Sequence, residues 1–352
     1  MHIVNIMFSA IAGGIEQAFV DYCEGLQQRG HRVTALIHPK AAIRPQLKAL
    51  GVEIIAMRNL GEYDPIAIYR LRRHLRRLTP DVALTHTHRS FSLARRADNG
   101  ICPLVGAAHN YHARARRLSR ADAVITTTHD LINFVKKFGV PEDRIYHIPN
   151  MVRCHELPHR GAPNKPPVIG TMGRLVKKKG FDVYIDALKL LKGRGYAFKA
   201  ILGGIGEEEK HLKRRAADAG LKDILSFPGW IKDKKNFYNH IDLFCLPSLH
   251  EPFGIVLLEA FTHGTPVVAT DSEGPRDIIT PNFDALMVEA GNASELATGM
   301  AKLLDNPRIA ADLAANAFAK AKTSYSIEGV SVNIEKALMA VASRWQELRH
   351  QQ

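Results

Sequence analysis

Residues 245–279 read CLPSLHEPFGIVLLEAFTHGTPVVATDSEGPRDII. This pattern predicts a buried strand, a tight loop marked by proline and glycine, a buried helix over residues 255–263 and then a second strand. Glu251 would lie in the loop at the carboxyl end of the first strand, and Glu259 about two turns along the helix. Because an unpaired charge is costly to bury, a carboxylate among the apolar neighbours of Glu259 indicates a function.

The start of the predicted helix offers hydrogen-bond donors to a ligand. The N–H groups of Phe253, Gly254 and Ile255 would cluster there, which suits a phosphate or a sugar hydroxyl. A ribose diol would in turn give the carboxylate of Glu259 two donors. The alternative is a solvent-facing Glu259 beside a capping Glu251, because two glutamates eight positions apart are common by chance.

Strands and helices alternate along the whole chain, which predicts doubly wound parallel sheets. Residues 2–37 read as strand, small-residue loop, helix and strand, and a second alternation begins at Val168. A polar, proline-rich stretch separates the two series. The predicted organisation is an N-terminal domain at 1–152, a linker at 153–167, a C-terminal domain at 168–325 and a helical tail at 326–352.

The composition is that of a globular protein with an anionic partner. Of 352 residues, 46% are hydrophobic and 24% are charged, and no apolar run approaches the ~18 residues of a membrane span. The four cysteines lie far apart and the N-terminus lacks a basic region, so we expect reduced thiols, no signal peptide and a cytoplasmic protein. A net charge of +13 favours binding to a nucleotide, a nucleic acid or an anionic lipid.

A cationic segment follows the first strand of the second domain, where residues 173–180 read GRLVKKKG. Two fixed cations here, Arg174 and Lys179, would stabilise the charge that develops on a leaving diphosphate without a metal ion. Lys177 and Lys178 are better explained as a solvated charge run.

Two parts of this chain resemble motifs of the retaining nucleotide-sugar glycosyltransferases of family 4. The segments EPFG, LLEA and HGTPVVAT resemble the family's E-x7-E signature, and GRLVKKKG resembles its G-R-x-x-x-x-K-G loop. The resemblance implies an α/β protein of the GT-B fold, with two Rossmann-like doubly wound domains facing a central cleft. It also implies that the second domain binds a nucleotide-diphospho-sugar, that the acceptor enters from the first, and that the tail helix packs back on the first domain.

The resemblance assigns roles to individual positions. The predicted catalytic residues are His109, Arg174, Lys179 and Glu251. The predicted donor-binding residues are Gly13, Gly14, Gly203, Gly204, Trp230, Ile231, Phe253, Gly254, Ile255 and Glu259. Several of these have plain structural explanations: a glycine pair is a weak signal, a strand-to-helix turn needs small residues, a tryptophan is often partly buried, and a lone histidine is more often structural.

The chain departs from the family pattern in two places. Ala10–Ala12 stand where a proline often precedes the glycines, which bears on the shape of that loop. Asp277 stands where glutamate is usual, and the Asn-Gly pair that follows in the family is replaced near Phe283. The second region borders the predicted site and therefore bears on donor preference.

A metal site is not expected. The sequence has no D-x-D pair, and His86 and His88, which alternate on one predicted strand, lack further ligands at a convincing spacing. His109 ends another predicted strand, where a neutral imidazole would hydrogen-bond a sugar hydroxyl, whereas Asp130 and Asn150 match family positions only loosely. We expect no metal and no cofactor, and a UDP-sugar rather than a GDP-sugar as co-substrate.

The predicted activity is transfer of a hexose to a glycan or a lipid-linked, lipopolysaccharide-type acceptor. One alternative is an epimerase or hydrolase of the same fold. Another is a basic nucleic-acid-binding protein, which only the charge supports, so we expect no nucleic acid partner.

Two clusters of arginines in the first domain are relevant to whether the protein associates with a membrane. The helix predicted over residues 65–78 places Arg70, Arg73 and Arg77 on one outer face, and a second arginine cluster lies at 114–120. They predict either docking on the anionic inner face of the cytoplasmic membrane or a merely solubilising charge.

Overall fold

The chain forms two compact units in the computed structural model, which describes residues 1–156, 161 and 163–351. Unit 1 comprises Met1–Met151 with Tyr325–Gln352, and unit 2 comprises Val152–Ser324. Part of the predicted linker, at 157–160 and 162, lies outside the described residues.

A parallel sheet forms the centre of unit 1. Its strands are β1 (His2–Met7), β2 (Arg32–Ile37), β3 (Glu53–Ala56), β4 (Val82–Thr85), β5 (Leu104–Ala108), β6 (Ala123–Thr126) and β7 (Ile145–His147). The helices are α1 (Gly14–Gln28), α2 (Arg44–Ala49), α3 (Pro65–Leu78), α4 (His88–Asp98) and α5 (His129–Lys137). The strand order is β3-β2-β1-β4-β5-β6-β7, so the order reverses between β1 and β4. Apolar clusters cover both faces of the sheet, as a parallel sheet requires.

Unit 2 repeats this plan. Its strands are β8 (Val168–Met172), β9 (Lys199–Gly203), β10 (Leu225–Ser226), β11 (Leu243–Leu246), β12 (Val267–Thr270) and β13 (Leu286–Val288). Its helices are α6 (Phe181–Gly193), α7 (Glu209–Asp218), α8 (Lys234–His240), α9 (Ile255–Thr262), α10 (Glu273–Ile278), α11 (Ala293–Asp305) and α12 (Pro307–Ser324). The order β10-β9-β8-β11-β12-β13 reverses between β8 and β11.

The C-terminal helix α13 (Ile327–His350) belongs to unit 1 and lies against α1. A Cβ on Gly25 would come within 2.8 Å of the Cβ of Ser331, so the two helices approach closely. Glu335 accepts a hydrogen bond from Nε of Arg29 at 2.9 Å, and Ile334 is fully buried in the core. Among the described residues, no helix combines the length and the apolar content needed to cross a bilayer.

The predicted α/β class with two doubly wound domains is confirmed, and most predicted elements lie within two or three residues of the observed ones. Helices α2, α4, α11 and α12 were not predicted. The placement of His86 and His88 on one strand is wrong, because β4 ends at Thr85 and His88 is the first residue of α4. Thr87 starts that helix instead: its Oγ1 accepts a hydrogen bond from the N–H of Ser90 at 3.2 Å.

Shortening a core side chain on α13 tests the packing of this helix. We expect Ile334→Ala to lower the free energy of unfolding of unit 1 by about 2–5 kcal/mol, because it leaves a cavity. Met339→Ala, at a 51% exposed position of the same helix, should change it by less than about 0.5 kcal/mol. Urea denaturation followed by Trp345 fluorescence, in a Trp230→Phe background, reports on unit 1 alone. Equal shifts from the two variants would contradict the packing of α13.

Candidate functional site

Two loops meet where the strand order of unit 2 reverses. Residues 173–180 follow the carboxyl end of β8, and residues 247–254 follow that of its neighbour β11. The carbonyl oxygen of Lys178 accepts hydrogen bonds from the N–H groups of Leu249 (2.9 Å) and His250 (3.0 Å). Open α/β sheets bind their ligands at such a reversal, so this edge of unit 2 is the first candidate site.

Position 180 requires glycine because these two loops touch. Gly180 has a φ of +61°, in the left-handed region that side chains rarely adopt. A Cβ there would also overlap the carbonyl oxygen of Pro247. The end of the first loop is therefore held against the start of the second by backbone contact as well as by hydrogen bonds.

Glu251 is a buried acid at this edge, with 6% of its surface exposed. Its Oε2 accepts hydrogen bonds from Nζ of Lys179 and, at 3.2 Å, from Oγ of Ser248. Its backbone N–H donates to Oε2 of Glu273 at 3.0 Å, which ties the loop to α10. Because a buried carboxylate must be paired, these contacts fix the orientation of Glu251. Its Oε1 has no hydrogen-bond partner among the described residues and can accept from a ligand.

Glu273 anchors the loop as an anion. Its Oε1 lies 3.0 Å from Nδ1 of His250. Burial by itself would raise the pKa of Glu273, but hydrogen bonds from His250 and from backbone N–H groups lower the pKa below its ordinary value. At neutral pH Glu273 is therefore ionised, and its bond with the backbone N–H of Glu251 is a hydrogen bond to a charged acceptor.

The two predicted cations at this edge differ in their partners. Lys179 pairs with Glu251, whereas Arg174 is exposed and has no acidic partner within the described ranges. The pKa of Lys178 is lowered by burial first and then by the neighbouring cations Lys179 and Arg174. Positive charge is thus concentrated here, and the guanidinium of Arg174 remains for an anion.

Glu259 is buried on α9, so the solvent-facing alternative is wrong. Its Oε1 pairs with Nζ of Lys234, and its Oε2 accepts a hydrogen bond from Oη of Tyr238 at 3.3 Å. The single proton of the Tyr238 hydroxyl is shared between this carboxylate and the carbonyl oxygen of Val256, which is nearer at 2.8 Å. A ribose bound by Glu259 would therefore share the carboxylate with Lys234 and Tyr238.

The glycines of the turn after β9 are required by packing within the protein. A Cβ on Gly204 would overlap the carbonyl oxygen of Gly173, and one on Gly203 would overlap the side chain of Ile231. Trp230, next to Ile231, is 40% exposed, so its indole can still stack on a planar ligand.

Helix α9 begins at Ile255 with Gly254 as its N-cap, and the preceding Phe253 is buried. The first N–H groups of any helix have no partner within it. The helix start therefore follows directly after the loop that carries Glu251, as the sequence predicts, and can donate to a phosphate or hydroxyl oxygen.

Three buried side chains form a hydrogen-bonded chain at the carboxyl edge of the sheet in unit 1. Nδ1 of His109 lies 3.1 Å from Oδ1 of Asn150, and its Nε2 lies 2.9 Å from Nδ1 of His86. The ring of Tyr22 packs edge-on against His86 with centroids 4.9 Å apart. Both nitrogens of His109 are engaged, so a sugar hydroxyl would reach this residue only by replacing one of these bonds.

These hydrogen bonds fix the tautomers of the two histidines. With Oδ1 of Asn150 accepting, His109 carries its proton on Nδ1, and its Nε2 accepts from Nδ1–H of His86. Nε2 of His86 is then bare, and it is buried without a hydrogen-bond partner in the described part of the chain. Burial lowers the pKa of His109 to about 4, against the opposing effect of Asn150. Burial also holds the pKa of His86 well below its ordinary value, so both rings are neutral at pH 7.

The glycine pair after β1 has an acidic neighbour. Gly13 caps α1 with extended backbone, and Gly14 is the first residue of the helix. A Cβ on Gly13 would lie 2.8 Å from Oε2 of Glu16, which is in the first turn. A diphosphate at this helix start, as predicted, would meet the carboxylate of Glu16.

Several residues of these edges were not predicted. Lys234 and Tyr238 hold Glu259, Glu273 holds the loop of Glu251, and Asn150 holds His109. Only Asn150 had a signal in the sequence, its loose match to a family position. The others meet their partners through the fold, and no local spacing points to them.

Two protein-family models match successive parts of the chain. The model described as Glycosyltransferase Family 4 matches residues 12–156, and the model described as Glycosyl transferases group 1 matches residues 156–320. The two matches correspond closely to the two doubly wound sheets.

Two curated relatives come from Rhizobium meliloti (strain 1021). The lipopolysaccharide core biosynthesis glycosyltransferase LpsE is 30% identical over 298 residues, which cover 83% of this chain and 86% of LpsE. The lipopolysaccharide core biosynthesis glycosyltransferase LpsD is 29% identical over 351 residues, which cover 94% of this chain and 96% of LpsD.

Solved structures share the fold. Anabaena Alr3699/HepE in complex with UDP-glucose has a TM-score of 0.86 at 21% identity, covering 97% of this chain and 100% of that chain. TarM has a TM-score of 0.82 at 14% identity, covering 96% and 98%. These likenesses show the GT-B fold. The match to LpsE over most of both chains shows the family, and the chain therefore belongs to the family 4 glycosyltransferases.

Proposed function

We propose that this glycosyltransferase is a retaining, metal-independent hexosyltransferase without a cofactor. Its donor is a nucleotide-diphospho-sugar, a UDP-sugar in preference to a GDP-sugar, and its acceptor is a glycan or lipid-linked saccharide of the lipopolysaccharide type. The proposal rests on the edge of unit 2, where the buried Glu251 pairs with Lys179 and the guanidinium of Arg174 lacks an acidic partner among the described residues. The UDP-glucose complex of HepE and the names of LpsE and LpsD support the choice of donor and acceptor.

The transfer needs only groups that the donor, the acceptor and this chain supply. The bond between the anomeric carbon and the β-phosphate oxygen breaks, and its electron pair stays on the phosphate, where Arg174 and Lys179 stabilise the charge. The acceptor oxygen bonds to the same face of the anomeric carbon, and its proton moves to the departing phosphate oxygen. Configuration is retained, and Glu251 forms no covalent intermediate.

We assign the donor-binding roles as the family resemblance implies them. Oε1 of Glu251 and the start of α9 at residues 253–255 orient the sugar, and Glu259 holds the ribose. The turn at Gly203 and Gly204, with Trp230 and Ile231, meets the base. Gly13, Gly14 and His109, which belong to unit 1, keep the roles that the family resemblance implies.

Removing the carboxylate of Glu259 tests the donor site. We expect Glu259→Ala to weaken binding of free UDP by at least about tenfold, since a hydrogen bond to a charged group contributes ~1.5–3 kcal/mol. Lys234→Ala, which breaks the same ion pair but keeps the carboxylate, should weaken UDP much less. Isothermal titration with UDP and GDP measures both effects, and GDP should bind wild type more weakly. An unchanged dissociation constant for UDP in Glu259→Ala would refute the assignment.

Chelation tests whether side chains replace a metal ion. Initial rates of sugar transfer should be unchanged in EDTA, because Arg174 and Lys179 carry the positive charge. Arg174→Gln should lower kcat by about 10²–10³-fold, whereas Lys177→Gln, an exposed cation of the same loop, should have little effect. Complete loss of activity in EDTA, restored by manganese or magnesium, would disprove this reading of the site.

A membrane role depends on the outer face of α3. Arg70, Arg73 and Arg77 are exposed there, and the same helix exposes Ile66 (61%) and Tyr69 (67%). Basic residues with neighbouring aromatic and aliphatic groups are typical of proteins that dock at a lipid interface.

Arg72 of the same helix and the second arginine cluster contribute less to this face. Arg72 is partly buried, and its guanidinium donates to the carbonyl oxygens of Arg96 and Ala97 at the end of α4. Arg114 and Arg117 of the second cluster both pair with Glu62. The proposed docking face is therefore centred on α3.

Vesicle co-sedimentation measures this docking. We expect the protein to bind anionic vesicles at low salt and to be released at high salt, since each basic residue near the surface contributes ~1 kcal/mol. The triple change Arg70, Arg73 and Arg77 to Glu should abolish binding. The change of Lys210, Arg214 and Lys222 to Glu, exposed in unit 2, alters the net charge equally and should not. Equal binding to neutral and anionic vesicles would exclude electrostatic docking.

A further inference from the structure

A partly open cavity of about 250 Å³ lies within unit 1, at the edge where its strand order reverses. It is lined by the ends of β4 and β5, the start of α4 and the segment that follows β5. Pockets for drug-sized ligands start near about 300 Å³, so this volume suits a smaller molecule such as one sugar residue.

The cavity wall is rich in donors for an anion. Arg89 is exposed and has no acidic partner among the residues that the structure describes, and Arg114 shares Glu62 with Arg117. Two guanidinium nitrogens of Arg117 donate to Glu62, whereas Arg114 donates to it through one nitrogen at 3.4 Å. The other N–H groups of Arg114 can therefore donate to a ligand. The described residues that line the cavity include the cations Arg89 and Arg114 and no carboxylate, so this wall is positive.

Two further donors lie on the same wall. The backbone N–H of Arg114 donates to Nδ1 of His112 at 3.0 Å, so Nδ1 is the acceptor nitrogen of this ring and Nε2 is its donor. Helix α4 starts at His88, and its first N–H groups have no partner within the helix. Burial lowers the pKa of His88 to about 4, so the positive charge here comes from the arginines and the helix start.

His86, which also lines the cavity, needs a hydrogen-bond donor from a ligand, whereas the arginines need an acceptor. Its side chain is 1% exposed, and its bare Nε2 has no hydrogen-bond partner in the described part of the chain. A buried acceptor without a partner is destabilising, so a ligand that brings a hydroxyl donor would satisfy it. One small ligand thus meets arginines for an acidic group and an imidazole nitrogen for a hydroxyl.

We propose that this cavity binds an acidic sugar residue of the acceptor, with a carboxylate or phosphate held by Arg89 and Arg114 and one hydroxyl donating to Nε2 of His86. The proposal rests on the proposed function, because it takes unit 1 as the acceptor-binding half. It narrows the acceptor from saccharides in general to those that carry an acid beside the bound ring.

The test compares sugars that differ only at C6. Methyl glycosides of glucose and galactose, their uronic acids and their 6-phosphates are titrated against the full chain by calorimetry. An acid should bind at least about tenfold more tightly than its neutral counterpart, and the double change Arg89→Gln with Arg114→Gln should remove this preference. Arg95→Gln should keep it, because Arg95 is on the same helix as Arg89 but pairs with Asp98 and is not among the residues that line the cavity.

The uronic acids and the 6-phosphates identify which acid is recognised. Equal affinity of wild type for acidic and neutral sugars, undetectable binding of every acid, or a preference that survives in the double variant would overturn the proposal. UDP-glucose is titrated in the same samples. Failure to bind UDP-glucose would count against the proposed function, whereas the acid preference is measured without any donor, so the two failures are seen separately.

Discussion

The ion pair between Glu251 and Lys179 depends on the reversal of strand order between β8 and β11. All carboxyl ends of a parallel sheet lie at one edge, so two loops whose paired residues are 72 positions apart can lie side by side. Removing one partner of a buried ion pair destabilises a protein by about 3–5 kcal/mol, and the loops are therefore bound to each other electrostatically. The close approach at Gly180 and the anchor from Glu273 restrain the same pair of loops.

Unit 1 has the same kind of strand-order reversal, but the side chains at its reversal point differ in charge from those of unit 2. Its reversal point holds neutral imidazoles in a hydrogen-bonded chain, where unit 2 holds a carboxylate and an ammonium group. Neutral rings keep their tautomers only while their hydrogen-bond partners stay in place, so Asn150 determines that Nε2 of His86 is the nitrogen without a proton. The positive charge near this reversal point is not on the hydrogen-bonded side chains. It is on Arg89 of α4 and on Arg114 of the segment that follows β5.

The sequence predicted those parts of the site that are local in the chain. The spacing of Glu251 and Glu259 and the flanking glycine and proline define a loop and a helix, and the structure has both. The pairing of Glu259 with Lys234 could not be predicted, because it depends on how α8 and α9 pack. His88 was misassigned because a strand-like alternation, His-Thr-His, was read across Thr87, whose own hydrogen bond to Ser90 starts a helix. Thr87, a residue type that is preferred at a helix N-cap, was the available signal for that helix.

The packing of Gly203 and Gly204 bears on how related sequences should be interpreted. A side chain at either position would collide with the protein's own backbone or with Ile231, whether or not a nucleotide is ever bound. A descendant that had lost its activity would still need both glycines to fold. The fold does not require Arg174 in the same way, since this residue is exposed and has no acidic partner in the described residues. In a genome survey, an intact arginine at this position would therefore distinguish working enzymes from inactive copies, and the glycines would not.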